Sequence, residues 1–222
     1  MGGYHFQWDV IWQYRAALGS ALAKSLLLGA ASIAVGTVCG LALAYAANAP
    51  WRTLCRACRL YIDAARNTPL LLLVFFLYLG LPQLGVRGIG RDLSFVMALS
   101  LVASAYLAET FRAALSSIPA AQLDAAKAIG LRAHQRQLYV VLPIALRYAL
   151  PAVANIYIAV VKDTSVASVI AIQELTFVAR EISTNYFRIV EAWAAVSLVY
   201  LALCGTMAML ARLVETRLPR LS

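Results

Sequence analysis

The stretch that decides the fold is SLLLGAASIAVGTVCGLALAYAANAPW, residues 25–51, a run of 27 residues without a charged side chain. A helix that crosses the hydrocarbon core of a bilayer, which is roughly 30 Å thick, needs about 20 consecutive apolar residues. This run is therefore long enough to cross a membrane as one helix.

Four further uncharged runs follow along the chain. Those at 67–86 and 192–211 hold 20 residues each, whereas those at 93–108 and 148–161 hold 16 and 14. The two short runs can span only if charged residues at their ends enter the membrane. We therefore predict an all-α membrane protein with five transmembrane helices in a single domain over 1–222. The expected spans are about 20–48, 67–86, 93–112, 147–163 and 190–212.

The composition excludes an ordinary water-soluble globule. Hydrophobic residues make up 63% of the 222 residues and charged residues 13%, about half of the roughly 25% that is typical of soluble domains. In water such a chain would expose large apolar patches. The net charge of +9 is therefore interpreted as membrane topology, and no nucleic-acid partner is predicted, because basic residues collect in cytoplasmic loops.

The distribution of lysine and arginine predicts the orientation in the membrane. Twelve of them fall after the first and third spans and in the tail: Arg52, Arg56, Arg59, Arg66, Arg112, Lys127, Arg132, Arg136, Arg147, Arg212, Arg217 and Arg220. Seven fall on the other side: Arg15, Lys24, Arg87, Arg91, Lys162, Arg180 and Arg188. We therefore expect the N-terminus outside and the C-terminus in the cytoplasm. No cleavable signal sequence is expected, because residues 1–18 contain Asp9 and no long apolar core.

The cysteines and histidines indicate no chemistry. Cys55 and Cys58 form a CxxC motif, but no second pair of Cys or His lies nearby in the sequence to complete a tetrahedral metal site. His5 and His134 are far apart and lack an obvious partner. We predict no metal site and no catalytic residue.

A stripe of small residues lies on one face of the first span. Its members recur at every fourth position: Ser32, Gly36, Gly40 and Ala44. Such stripes let helix backbones approach closely. The stripe suits packing against another span of the same chain and a contact between subunits equally well.

The predicted cytoplasmic loop at about 113–146 is long for a connection and has the signals of helices. Ser117 can cap a helix that has Pro119 in its first turn, and Gly130 can end that helix in a left-handed conformation. A second short helix is expected from about residue 132 until the proline at 143 breaks it. The first helix is rich in alanine and therefore slim, which suits a groove of another protein and, equally, an interfacial position on lipid.

The loop contains the pattern Asp124-Ala125-Ala126, three residues, Gly130, nine residues, Val140, one residue and Leu142-Pro143. This pattern resembles the EAA motif of the permease subunits of bacterial ABC importers. Asp124 stands where the motif usually has Glu, and Val140 where it has Ile. The resemblance to the polar amino acid uptake branch extends over nearly the whole chain, through Arg66-Asn67-Thr68-Pro69-Leu70-Leu71, Ala105-Tyr106-Leu107-Ala108-Glu109 with Arg112, Asn155, Lys162-Asp163-Thr164-Ser165 and Glu174-Leu175.

The resemblance implies the type I ABC importer permease fold in the bacterial cytoplasmic (inner) membrane. It implies import of polar amino acids by alternating access, with two ATPase subunits, a second permease (identical or related) and an extracytoplasmic solute-binding protein as partners. ATP and Mg would bind to the ATPases and no cofactor to this chain, which has no GxxxxGK[ST] phosphate loop. The 119–130 helix would couple to the ATPase, through Pro119, Gln122, Asp124, Ala125, Ala126 and Gly130, by its alanine face.

The short fourth run predicts a site in the substrate pathway. Its 14 residues rise about 21 Å as a helix, so Lys162 and Asp163 are expected at a helix break in or near the outer leaflet. Ionisable residues in a membrane are candidates for function, and broken helices line transporter cavities. Thr164 and Ser165 add hydroxyls that can contact a zwitterion. The alternative for Lys162 and Asp163 is an ion pair at the outer interface.

Other interpretations stay open for two stretches and for the function. Glu109 is a pathway candidate, but its simpler role is a helix-surface ion pair with Arg112, three residues on. Asn67 or Thr68 can cap the helix of the second span before Pro69. A secondary transporter would need two related halves or a coupling-ion site, and a membrane scaffold would need neither the coupling helix nor the pathway residues.

Overall fold

A computed structural model describes residues 4–217. Arg220 and the outermost residues of the predicted domain, 1–3 and 218–222, lie outside the described residues. The described chain is helical and has no strand. Its α-helices are α1 Asp9–Gln13, α2 Arg15–Ala46, α3 Arg52–Asn67, α4 Leu70–Phe75, α5 Leu81–Gln83, α6 Arg91–Ser116, α7 Ala120–Ala128, α8 Ala133–Arg136, α9 Leu142–Asp163, α10 Leu175–Tyr186 and α11 Ile189–Arg217. Two π-helical turns, Phe76–Gly80 and Gln137–Val141, and a 3-10 helix, Thr164–Ile170, connect some of them.

Four helical stretches are long and apolar enough to cross a membrane. They are Arg15–Ala46, Arg91–Ser116, Ala133–Ile170 and Ile189–Arg217. A fifth span results if α3 and the following stretch Leu70–Gln83 count as one, with a bend of 104° between them. The all-α membrane fold is therefore confirmed, and the five-span topology holds when the bent pair is one span.

The second and fourth spans differ from their predicted limits. The predicted second span, 67–86, does not include α3, although α3 forms the first part of the bent span. The 147–163 prediction is too short, because the helical stretch Ala133–Ile170 has 38 residues. The segment between the third and fourth spans shrinks accordingly, from the predicted 113–146 to 117–132.

Prolines explain part of this difference. The expected helix end at Pro143 is wrong, because α9 begins at Leu142 and continues through it. Each π-helical turn ends two residues before a proline, Gly80 before Pro82 and Val141 before Pro143. A widened turn relieves the clash between the proline ring and the carbonyl four residues earlier. Proline also has no N–H, so it cannot donate the backbone hydrogen bond that a regular turn would need at this position.

The described residues form two compact units. Unit 1 contains residues 4–34, 69–100 and 158–207. Its core joins α1 and the start of α2 to α10 and α11, through Val10, Ala21, Leu175, Val178, Ala179, Ile182, Ala192 and Val196. The N-terminal segment is held by Glu191, whose carboxylate accepts hydrogen bonds from the Tyr4 hydroxyl and, at 2.9 Å, from the Gln7 amide.

Unit 2 contains residues 35–68, 101–157 and 208–217. Its core includes Ala44, Leu107, Phe111, Ala114, Ile118, Ala145, Ala149 and Val153. A Cβ added at Gly40 would lie 2.8 Å from the Leu107 Cβ and 2.9 Å from the Ser104 carbonyl oxygen, and one at Gly36 would lie 2.9 Å from the Ala103 Cβ. In unit 2 the small-residue stripe therefore packs α2 against α6 of the same chain.

The stretch before Pro69 ends one helix instead of starting the next. The Asn67 side-chain amide donates to the Asp63 carbonyl at 2.7 Å, and the Thr68 hydroxyl donates to the Ala64 carbonyl at 2.8 Å. Both side chains therefore bind carbonyls of the last two turns of α3. The prediction that either residue caps the second span is wrong, since α4 begins after Pro69 without a side-chain cap.

Candidate functional site

Helix α7, Ala120–Ala128, is the centre of the candidate coupling site. It ends as predicted at Gly130, whose φ is +81°. The Gly130 amide donates to the Lys127 carbonyl at 2.9 Å and the Leu131 amide to the Ala126 carbonyl at 3.2 Å, which is the hydrogen-bond pattern of a Schellman motif. The predicted Ser117 cap is wrong, because its hydroxyl donates back to the Ala113 carbonyl at 2.9 Å.

One face of α7 lies against its own chain. Ala126 is only 4% exposed, and Leu123 packs against the core cluster that contains Ile118. The Gln122 side-chain oxygen is also buried and has no hydrogen-bond partner within residues 4–217. Ala126 therefore lies on the face of α7 that packs against its own chain, contrary to the expectation that it belongs to the docking face.

The opposite face of α7 is small, apolar and open. Its exposed alanines are Ala121, Ala125 and Ala128. Ile129, just after the helix, is 77% exposed. Asp124 accepts a hydrogen bond from Lys127 at 2.8 Å, and both side chains are more than half exposed, so their ion pair adds little stability. This face allows a second protein surface to approach the α7 backbone closely.

Four of the predicted pathway residues, those at 162–165, lie in unit 1 and in one continuous helical stretch. The helix does not break at Lys162 and Asp163 as expected, because α9 ends at Asp163 and continues directly as the 3-10 helix Thr164–Ile170. Lys162 is exposed and Asp163 and Ser165 are partly buried. Thr164 is fully buried and donates its hydroxyl to the Val161 carbonyl at 2.7 Å.

The chain turns at Ala171, which has a left-handed φ of 58°. Two arginines bind carbonyls at this end of the 3-10 helix. Arg180 donates to the Ser168 carbonyl at 2.6 Å and Arg91 donates to the Ala171 carbonyl at 3.0 Å. Cations suit this position because carbonyls at a helix C-terminus carry partial negative charge. Sequence reasoning missed both arginines, because these bonds depend on tertiary structure and leave no local signal.

Glu174 forms the start of α10 after this turn. Its carboxylate is fully buried and accepts hydrogen bonds from the Thr176 and Phe177 amides, each at 2.9 Å, and from the Tyr200 hydroxyl at 3.1 Å. Burial raises the pKa of Glu174 above its ordinary value, while these hydrogen bonds act in the opposite direction. Sequence reasoning missed the cap, because helix N-caps favour Ser, Thr, Asp and Asn.

A cavity of 720 Å³ adjoins this turn in unit 1. Its charged lining residues are Lys24, Arg91, Asp92 and Glu181, with Gln173 beside them. Lys24 and Asp92 form an ion pair in this lining. None of the predicted residues at 162–165 lines this cavity.

Glu109 forms the predicted ion pair on the surface of α6, in unit 2. Arg112 donates through Nε to Glu109 Oε2 at 3.0 Å, and the two side chains are 36% and 33% exposed. The simpler of the two interpretations of this pair is therefore confirmed. Cys55 donates its thiol to the Ala47 carbonyl, and no cluster of three potential metal ligands occurs in the described chain.

This chain is similar to permease proteins of bacterial transport systems. The octopine transport system permease protein OccM of Rhizobium radiobacter is 37% identical over 215 residues, which cover 92% of this chain and 87% of the relative. The glutamine transport system permease protein GlnP of Escherichia coli K12 is 32% identical over 214 residues, covering 96% and 98%.

A solved structure described as an amino acid ABC transporter with histidines has a chain that matches with a TM-score of 0.91 and 29% identity, over 97% of this chain and 100% of that one. The predicted ABC importer permease fold is thus confirmed. A model of the family described as binding-protein-dependent transport system inner membrane component matches residues 9–220. This chain belongs to that family of membrane-embedded ABC transporter permease subunits.

Proposed function

We propose that this chain is the permease of an ATP-driven importer of polar amino acids in the bacterial cytoplasmic membrane, and that α7 docks into an ATPase subunit. The observation that carries the proposal is the face of α7 formed by exposed alanines and Ile129. A helix that is seated on one side and slim on the other fits a groove of a partner protein.

The complex would contain two ATPase subunits, a second permease and an extracytoplasmic solute-binding protein. ATP and Mg would bind to the ATPases, and this chain would contribute the moving wall of the pathway. With the N-terminus outside and the C-terminus in the cytoplasm, α7 lies in the compartment that holds ATP. The twelve to seven distribution of lysine and arginine supports this orientation.

The solute class is supported by the names of the relatives. Octopine, glutamine and histidine are named for the similar permeases and the similar structure. Each of these solutes carries at least one carboxylate and one basic or amide nitrogen. We therefore propose a polar amino acid or amino acid derivative as the solute of this chain.

A pair of alanine substitutions tests the docking of α7. Ala125→Arg places a long cation on the exposed face, and Ala133→Arg places the same side chain at the exposed start of α8 as a matched control. We expect the Ala125→Arg permease to insert in the membrane but to lose copurification with the ATPase and ATP-dependent uptake. The control should keep both, and unchanged copurification of Ala125→Arg would refute the docking assignment.

Thiol labelling tests the orientation independently. In a background without the four native cysteines, Ser183→Cys and Gly85→Cys should react with an impermeant reagent added to cells without an outer-membrane barrier. Gln135→Cys should not react. Labelling of Gln135→Cys from outside would invert the topology and remove α7 from the ATP compartment.

A further inference from the structure

The N-terminal segment of unit 1, residues 4–14, carries a row of aromatic side chains that the described chain leaves exposed. Phe6 is 58% exposed, Trp8 49% and Trp12 71%. The rings of Phe6 and Trp8 stack, with their centroids 6.2 Å apart and an angle of 6° between their planes. Single exposed apolar side chains are ordinary, but a contiguous row of large ones marks a surface that contacts something else.

The helical part of this segment has three different sides. The Trp12 amide donates to the Trp8 carbonyl at 3.2 Å, so the helical spacing of about 100° per residue applies from residue 8 onwards. One side packs into the core of unit 1 and contains Val10 and Tyr14. The other two sides are exposed, and they are an aromatic side with Trp8, Trp12 and Arg15 and a polar side with Asp9 and Gln13.

Arg15 completes the aromatic side. Its Cζ lies 5.3 Å from the centre of the Trp12 ring, within the range of a cation–π interaction. It also donates to the Trp12 carbonyl at 3.0 Å. An apolar ring with one N–H donor suits the boundary between lipid headgroups and acyl chains, and a guanidinium group beside it suits the lipid phosphates.

The length of α2 places the aromatic side at this boundary. The helix starts at Arg15 and has 32 residues, which rise about 48 Å. A bilayer is roughly 30 Å thick in its hydrocarbon core and about 40 to 45 Å thick with its headgroups. A helix of this length that crosses the bilayer therefore has its first turn among the headgroups. Lys24, the only charged residue in 16–51, is paired with Asp92 in the lining of the unit 1 cavity.

The start of α11 indicates the same depth for the segment. The uncharged run 192–211 has 20 residues, about the number needed to cross the hydrocarbon, and it begins directly after Glu191. The Glu191 carboxylate accepts hydrogen bonds from the Tyr4 hydroxyl and, at 2.9 Å, from the Gln7 amide. The segment is therefore attached to α11 at the level where its charge-free part begins.

The other tryptophans agree with this placement. Of the four in the chain, Trp193 is the fifth residue of α11, and Trp51 follows the last residue of α2 by five positions. Both are exposed, by 40% and 70%. Tryptophan is enriched at both interfaces of a membrane. All four tryptophans thus lie near the ends of two spans.

We propose that the aromatic side of the N-terminal segment, formed by Phe6, Trp8, Trp12 and Arg15, is a membrane anchor whose partner is lipid. It lies at the headgroup–acyl boundary, beside the starts of α2 and α11. Through its hydrogen bonds to Glu191 the anchored segment also holds the start of α11. This role goes beyond the proposed function and is the same in either orientation of the chain.

Tryptophan fluorescence of the full chain in phosphatidylcholine vesicles tests the anchor. Trp8→Phe, Trp51→Phe and Trp193→Phe leave Trp12 as the only tryptophan. Bromine atoms on the acyl chains quench a nearby indole, and iodide quenches an indole in water. We expect lipids brominated near the headgroup end of the acyl chain to quench Trp12 about twofold more than lipids brominated near the terminal methyl group.

Gln13→Trp is the matched control, in a chain whose four native tryptophans are all changed to phenylalanine. Its indole belongs to the next residue of the same helix but lies on the polar side. Iodide, present on both sides of the membrane, should quench this indole about fivefold more than it quenches Trp12, because only the aromatic side faces lipid.

Two results would overturn the anchor. If iodide quenches Trp12 as strongly as the control and brominated lipids do not quench it, the aromatic side lies in water and is a surface for a protein, such as a solute-binding protein. If bromines near the terminal methyl group quench it more strongly, the side chain lies in the hydrocarbon and the boundary placement is wrong.

Amide hydrogen exchange of the full chain in the same vesicles measures whether the aromatic side holds the segment. The double variant Trp8→Ser and Trp12→Ser should exchange about tenfold faster in residues 5–14, because local opening becomes easier. Replacement of both by tyrosine should keep exchange near wild type, since tyrosine also favours the interface. Gln13→Ser, on the polar side, should leave it unchanged. Exchange in the double serine variant that is as slow as in wild type would overturn the anchor.

Discussion

The coupling segment at 117–131 and the turn segment at 164–174 both interrupt long helices, but different interactions fix them. The coupling segment closes on itself, through Gly130 and backbone bonds to the last turn of α7. The turn segment uses Ala171 in a left-handed conformation and depends on Arg91, which lies 80 residues away in the sequence. The end of α7 is therefore fixed by local backbone hydrogen bonds, whereas the end of the turn segment is fixed by side chains that the tertiary fold brings to it.

The largest expected effect separates the two faces of α7. Ala126→Arg would bury an unpaired charge where the alanine is 4% exposed, and a buried charge without a partner costs about 3 to 5 kcal/mol. The exposed Ala125→Arg should change stability by less than about 0.5 kcal/mol. Thermal unfolding of the detergent-solubilised permease measures both. Equal unfolding temperatures for the two variants would show that α7 is not seated through Ala126.

The next effect tests the dependence of the turn segment on distant residues. Arg180→Gln removes the charged donor to the Ser168 carbonyl, and hydrogen bonds to charged groups contribute about 1.5 to 3 kcal/mol. Amide hydrogen exchange in residues 164–174 should become faster. Arg87→Gln is the control, because Arg87 is exposed and forms no hydrogen bond or ion pair in the part of the chain described. Exchange that is unchanged in Arg180→Gln contradicts the tertiary account of this turn.

Two substitutions at left-handed residues, one in each segment, should change the stability of the permease in different ways. Gly130→Ala forces a side chain into a φ of +81° and should destabilise the permease by about 1 kcal/mol. Ala171→Gly relieves the same kind of strain at a φ of 58° and should leave the stability unchanged or raise it. Within a regular helix, replacing alanine by glycine instead lowers the stability by about 0.5 to 1 kcal/mol. Unfolding temperatures provide the measurement, and a loss of similar size in both variants contradicts the comparison.

The smallest effect is a pH dependence of the turn segment. Burial raises the pKa of Glu174 in the folded state, so the folded protein holds this proton more tightly than the unfolded chain. Stability should therefore fall as the pH rises from the ordinary glutamate pKa of about 4.3 towards the raised value. Glu174→Gln should lack this component. The measurement is the difference in unfolding temperature between wild type and variant against pH, and a flat difference refutes it.

The same contrast explains how much the sequence could predict. Uncharged runs locate the spans, because exclusion of charge from hydrocarbon leaves a direct trace in composition. The end of α7 was predictable, since Gly130 is a local signal for a left-handed residue. The inward face of Ala126 was not, because every side of an alanine-rich helix looks alike in sequence. The continuation of the helix through Pro143 depends on a π-helical turn, which has no residue pattern of its own. The hydrogen bond to the Ser168 carbonyl depends on Arg180, which only the tertiary fold brings close to it.

The connector between α6 and α7 sets how mechanical load would travel in the proposed complex. It has only three residues, Ser117, Ile118 and Pro119. Ile118 is buried in the core of unit 2, and the Ser117 hydroxyl is tied back to α6. The ring of Pro119 fixes its φ near −60°. Such a connector has little freedom to absorb a displacement, so a force that a docked ATPase exerted on α7 would pass directly to α6.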